Sequence, residues 1–207
     1  MVTDLAGAVR VLSLARDYIH RAGLQSEVEW QRSTAIAGFT ESEFLRESAW
    51  VILCSGFRES VVRRVFDYIS LCFCDWESAT AIAEAKSLCI NSASRSFRNE
   101  TKLTAILTIA QMVHRNGFTA VKAAVLADPI KELAKLPHIG PITVWHLAKN
   151  LGLDVAKPDR HLVRVARQFG YTGAAQLCAA LAEASGEQIK VIDLIVWRYV
   201  ADNPGVV

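Results

Sequence analysis

The sequence predicts an all-α fold, and three observations carry that prediction. Apolar residues recur at three- and four-residue intervals along most of the chain, and strand-like alternation persists nowhere. Capping side chains precede many of these runs, and glycine or proline follows them. The chain has 207 residues, 52% of them hydrophobic and 21% charged, which is enough for one large domain or two small lobes sharing a core.

The elements follow in order. Residues 4–22 form an opening helix, with Leu5, Val9, Leu12, Ala15, Tyr18 and Ile19 at helical intervals ahead of Ala22-Gly23. Residues 24–38 are less periodic and read as a short helix with connections. Thr40 and Glu43 form a capping box before a helix with the stripe Phe44, Leu45, Ser48, Ala49, Val51 and Ile52, which stops at Ser55-Gly56. The turn Gly56-Phe57-Arg58-Glu59 leads to a helix over 60–72. A small-residue helix spans 79–88, and the polar run 91–96 reads as a loop. Phe97-Arg98-Asn99 enters a helix over 100–114, and Thr119 caps a short helix to residue 126.

Asp128 caps the next helix, whose apolar residues Leu133, Leu136 and Ile139 end at Pro137-His138-Ile139-Gly140. Pro137 lacks the amide that a helix interior needs, and Gly140 is expected to allow a turn that a side chain would forbid. Pro141 then stands as a first helical residue ahead of Ile142, Val144, Trp145, Leu147, Ala148 and Leu151, with Gly152 as the stop. Two helices joined by so short a turn leave the second helix's first amides without partners, a site for an anion such as a backbone phosphate. Pro158 places Asp159 at the start of a helix over 160–169, where a carboxylate is ordinarily an N-cap. Thr172 caps a helix over 173–184, and a densely apolar final helix starts after Ser185-Gly186.

Leu136, Pro137, Ile139, Gly140 and Thr143, followed by Asp159, His161, Leu162, Arg164 and Val165, resemble the paired motifs of the helix-hairpin-helix (HhH-GPD) DNA glycosylase superfamily, the endonuclease III-like base-excision enzymes. The resemblance implies a single glycosylase domain over 1–207, as a two-lobed helical bundle with DNA and a flipped base in a cleft between the lobes. The middle lobe would cover roughly 40–130, and 1–39 with 131–207 would form the second lobe, carrying the hairpin at 130–151. It further implies that Asp159 is the catalytic carboxylate and that His138, Ile139, Gly140, Ile142 and Thr143 bind the DNA backbone. The superfamily's lyase lysine lies two residues after the hairpin glycine, and here that position is Ile142. The expectation is therefore a monofunctional glycosylase, with an alkylated purine as the preferred substrate. A non-catalytic DNA-binding module and a bifunctional oxidised-base glycosylase/lyase are the alternatives.

In the turn after the capped helix, Gly56 replaces the superfamily's frequent glutamine, and Phe57 and Arg58 become candidates for wedging into the duplex where a nucleotide leaves the stack. The alternative places Phe57 in the core and leaves Arg58 solvated. Glu47 and Trp50 share a helix face and are base-pocket candidates, with Trp30 and Trp145 behind them. The competing view puts Trp50 in the core and Glu47 in solvent. His161 and Arg164 are expected to hold the helix after the aspartate. Lys149 reads as a helix C-terminal charge and Lys157 as a loop contact to phosphate.

The net charge of +2 is a weak signal by itself, and the distribution matters more: Arg58, Arg63, Arg64, Arg95, Arg98 and Lys102 lie in the middle segment, and Arg160, Arg164 and Arg167 follow Asp159. Cys54, Cys72, Cys74, Cys89 and Cys178 read as reduced core thiols, and Cys72-x-Cys74 is too tight for a zinc knuckle. No four-cysteine iron–sulfur cluster is expected, because only Cys178 lies in the second half, and no other cofactor or metal is expected. No apolar run reaches the length of a membrane span, and no secretory signal pattern opens the chain. The expected partner is lesion-containing double-stranded DNA, bound by a monomer in the cytoplasm, at the nucleoid or in a nucleus.

Overall fold

The computed structural model describes residues 3–206. Among them are thirteen α-helices and no strand: α1 (Leu5–Arg21), α2 (Gln25–Ser33), α3 (Glu41–Cys54), α4 (Glu59–Cys72), α5 (Ala79–Ala85), α6 (Ser87–Ala93), α7 (Glu100–Asn116), α8 (Phe118–Ala127), α9 (Pro129–Leu133), α10 (Thr143–Asn150), α11 (Arg160–Gln168), α12 (Ala174–Ser185) and α13 (Ile189–Asp202). The all-α class is as the periodicity predicts.

Local chemistry explains where most helices begin. The side chains of Asp4, Thr40, Ser78, Asn99, Asp128 and Asp159 each accept a backbone amide in the first turn that follows. At α3 the capping box is complete, with Glu43 Oε2 accepting the Thr40 amide at 2.7 Å and Thr40 Oγ1 accepting the Glu43 amide at 3.2 Å. Four expectations about helix bounds and caps need correction. Gly117, at φ 78°, holds the N-cap position of α8, not Thr119. Thr172 donates its amide and hydroxyl to Gln176 Oε1 at 2.8 and 3.0 Å instead of accepting an amide of α12. Residues 91–93 belong to α6, because Cys89 and Ala93, four apart, are buried among polar neighbours. The backbone breaks at Lys86 (φ 46°, ψ −121°), which splits the expected single helix in two.

The chain divides into two compact units, residues 1–35 with 152–207 and residues 36–151. In the first, α1, α2, α11 and α12 pack against α13. Their core holds Leu12, Ala15, Ile19, Leu162, Val165, Leu177, Val191, Ile192 and Val196, all nearly solvent-free. The Asp4 amide donates to Phe169 O at 3.0 Å and fastens the start of α1 to the end of α11.

In the second unit, α3 packs on α4, α7 and α10, while α5 and α6 pack on α7. Phe44, Ile52, Leu53, Ile69, Phe73 and Leu103 are fully enclosed. The hairpin helices α9 and α10 belong to this unit and not with the termini, because α9 packs on α8 and α10 while α10 packs on α3. A buried hydrogen bond seals the latter contact: Asn150 Nδ2 donates to Glu47 Oε2 at 2.8 Å.

Candidate functional site

Asp159 sits in extended backbone (φ −85°, ψ 169°) at the N-cap of α11. Its Oδ1 accepts two amides, from His161 at 2.9 Å and Leu162 at 3.1 Å. That leaves Oδ2, which faces the Lys157 ammonium at 3.8 Å, with the aspartate side chain 11% exposed. One oxygen therefore fixes the carboxylate, and the other takes no part in capping α11. Asp159 is thus an N-cap, and that role occupies Oδ1 alone.

The loop before Asp159 is pinned at two points. Asp154 Oδ1 accepts the Lys190 amide at 2.9 Å, and the Lys157 amide donates to Asp193 Oδ2 at 2.7 Å. Asp193 is only 1% exposed, within the densely apolar α13. An acidic residue in such a helix is the sequence signal for this anchor. Two residues past Asp159, the His161 ring is half-buried and its Nδ1 has no hydrogen-bond partner among the described residues. Burial pushes the His161 pKa below the usual histidine range, and Arg160, Arg164 and Lys157 reinforce the shift against the opposing pull of Asp159.

The two hairpin helices form, but nine residues, 134–142, separate α9 from α10 where the sequence implies a very short turn. Leu133, Leu136 and Ile139 are buried, and Ile139 donates its amide to Leu136 O at 3.1 Å. The left-handed residue of the turn is His138 (φ 61°) and not Gly140. A Cβ placed on Gly140 would meet only Thr143 Oγ1, at an unstrained 3.8 Å. The fold therefore does not demand glycine at 140, although the sequence implied that it would. Gly140 donates its amide to Thr143 Oγ1 at 2.7 Å, and Val144 donates to Gly140 O at 2.9 Å. Helix α10 starts at Thr143, so Pro141 and Ile142 precede it, and the amides of Ile142 and Thr143 donate no hydrogen bond among the described residues. His138 and Ile142 are exposed, Gly140 and Thr143 half-buried, and Ile139 is core. Lys149 lies in the last turn of α10, as expected of a helix C-terminal charge, and is 5% exposed.

Phe57 and Arg58 are both exposed, just after Gly56 (φ 75°). Arg58 is the N-cap residue of α4. The Phe57 ring leans on Phe97, with centroids 5.2 Å apart, and stays 43% exposed. Beneath the turn lies a residue whose role the sequence hid. Lys102 is 6% exposed and donates to Ile52 O at 2.7 Å, Leu53 O at 3.0 Å and also Ser55 O, which ends α3 in a lysine clamp. Desolvation lowers its pKa. Its position one residue before Leu103, on the apolar side of α7, was the available clue.

The pocket candidates do not assemble as their spacing implied. Glu47 is 4% exposed, held by Asn150 and by an ion pair with Arg46, so it offers no carboxylate to an open pocket, nor is it solvated. Burial nevertheless raises its pKa, outweighing Arg46 and the Asn150 bond. Trp50 is half-buried and turns to other neighbours, edge-on to Phe66 at 4.9 Å with the Arg63 guanidinium 5.7 Å from its ring centre. Trp145 is half-buried in α10, and Trp30 lies 40% exposed on α2, in the other unit. A hollow of about 560 Å³ in the second unit, lined by Ala83, Glu84, Lys86, Gln111, His114 and Arg115, involves none of these residues.

No family model and no curated protein matches this sequence. Among solved structures, the chain is similar to the crystal structure of the 8-oxoguanine DNA glycosylase of Thermotoga maritima. The two share 16% identity and a TM-score of 0.61, over 97% of this chain and 99% of that one. What the two have in common at that identity is architecture: this chain has the all-helical fold of a DNA glycosylase along nearly its whole length.

Proposed function

We propose that this chain is a monofunctional DNA N-glycosylase of base excision repair, hydrolysing the bond between the sugar and a damaged base. The observation that carries the reading is Asp159, a carboxylate fixed through one oxygen and left with the other, on a chain with a glycosylase fold. When an N-glycosidic bond breaks, its electron pair leaves with the base and positive charge develops on the sugar ring. A fixed carboxylate near C1′ stabilises that charge and accepts the proton of the attacking water. The Lys157 ammonium stands 3.8 Å from Oδ2 of the same carboxylate.

The hairpin supports the same reading. The two undonated amides at Ile142 and Thr143, beside a glycine that the fold does not require, suit the close approach of a phosphate. Ile142 is 43% exposed and bears no amine, so a Schiff base with the sugar cannot form there and water is the nucleophile. Of the two wedge candidates we favour Phe57, whose ring is supported by Phe97 and still exposed. Alkylated purines are the proposed substrates. The similarity to an 8-oxoguanine enzyme makes that oxidised base the second reading.

Asp159→Asn tests the proposal cleanly, because asparagine caps helices as well as aspartate does and the fold of α11 is kept. Excision from a duplex panel carrying alkylated, oxidised, deaminated and mismatched bases should fall about 10²–10⁴-fold. Undiminished excision by the variant would remove Asp159 from the chemistry. Tight duplex binding by the natural chain with no excision anywhere on the panel would indicate a binding module instead.

A further inference from the structure

Helix α11 carries Arg160, Arg164 and Arg167, all exposed, while Leu162, Val165 and Ala166 are buried. At about 100° per residue, the three arginines lie within about 60° of one another, opposite the buried stripe. None has a carboxylate partner among the described residues, and the nearest polar contact is Arg160 Nε to His161 Nε2 at 3.4 Å. Helix stability does not account for this row. Arg160 is the first residue of α11, where the positive end of the helix dipole disfavours a cation. The spacings of four and three put like charges beside one another, which costs the helix further. Arg160 and Arg164 add to the desolvation that lowers the His161 pKa. A cationic row that the fold maintains at its own expense, with no internal anion, fits an external polyanion.

We infer that the exposed face of α11, formed by Arg160, Arg164 and Arg167, is a second phosphate-contacting surface that tracks the backbone of duplex DNA. It rests on the glycosylase reading, and it is separate from the hairpin, which belongs to the other unit. These contacts are electrostatic and carry no sequence information, so their signature is salt dependence.

The test measures affinity of the full chain for an undamaged and an abasic-analogue duplex across a series of KCl concentrations. It compares the natural protein with the triple variants Arg160→Gln/Arg164→Gln/Arg167→Gln and Arg160→Lys/Arg164→Lys/Arg167→Lys. In the glutamine variant the slope of log K against log salt should become shallower by roughly 2–3. The lysine variant should keep the natural slope, because counterion release follows charge. Melting of the glutamine variant should be unchanged or higher, since like-charge repulsion is relieved, which separates lost contacts from lost folding. A natural slope in the glutamine variant overturns the inference while leaving the glycosylase reading intact. A slope lost equally in the lysine variant also overturns it. Failure of the natural chain to bind either duplex overturns both readings, and preference for duplex RNA would replace the proposed partner.

Discussion

The Lys102 ammonium lies 4.7 Å from the centre of the Phe57 ring while donating to three carbonyls at the end of α3. One buried cation thus both terminates a helix and supports the turn that presents Phe57. Lys102→Met keeps the stem and removes the donor, leaving Ile52 O, Leu53 O and Ser55 O to find other partners. Chemical denaturation should show a loss of about 1–3 kcal/mol. Excision should fall further than the stability loss explains at temperatures where the variant is still folded, because the Phe57 turn is no longer held. Equal stability in the variant would show that solvent replaces the ammonium at no cost.

Gly140 offers a separation of fold from function. Its backbone is not left-handed, and an added methyl group meets only Thr143 Oγ1 at 3.8 Å. Gly140→Ala should therefore fold with unchanged stability or a gain of about 0.4–1 kcal/mol from reduced freedom in the unfolded chain. Duplex affinity should drop, since the methyl group occupies the space through which a phosphate would reach the amides. Loss of stability with unimpaired affinity would reverse the assignment.

Glu47 gives a pH dependence whose sign runs against the usual carboxylate. Burial holds its folded pKa above the unfolded value, so the ionised form is the one the fold disfavours. As pH falls through the folded pKa, the native state takes up a proton before the unfolded chain does, and stability rises until the unfolded pKa is passed. Glu47→Gln retains an acceptor for Asn150 and cannot titrate. Melting temperatures measured from neutral pH down to about the unperturbed glutamate value should show the natural protein gaining on the variant. A natural protein that instead loses ground on acidification would mean that Arg46 dominates.

What could be read in the sequence divides along a physical line. The Thr40 box and the Asp128 and Asp159 caps were legible because each joins a side chain to amides two or three residues away. The Lys102 clamp, the Asp193 anchor and the Glu47–Asn150 bond span 50, 36 and 103 residues, and no local pattern reports such pairings. The hairpin shows a middle case. Its residues are local in sequence, but the left-handed conformation that glycine favours falls at His138 and not at Gly140. Helical spacing put Glu47 and Trp50 on one face without revealing that Asn150 would claim the carboxylate and Phe66 the indole.

The carboxylate clasps on the loop before Asp159 also bear on heat. Because Asp154 and Asp193 bind amides at residues 190 and 157, that loop cannot detach without uncovering a carboxylate that is 1% exposed in α13. Loosening it is therefore coupled to opening the helical unit that contains α13 and is not a cheap surface fluctuation. The Lys157 and Lys190 amides should exchange hydrogen on the timescale of that unit, and Asp159 should hold its geometry up to the temperature at which the unit itself melts.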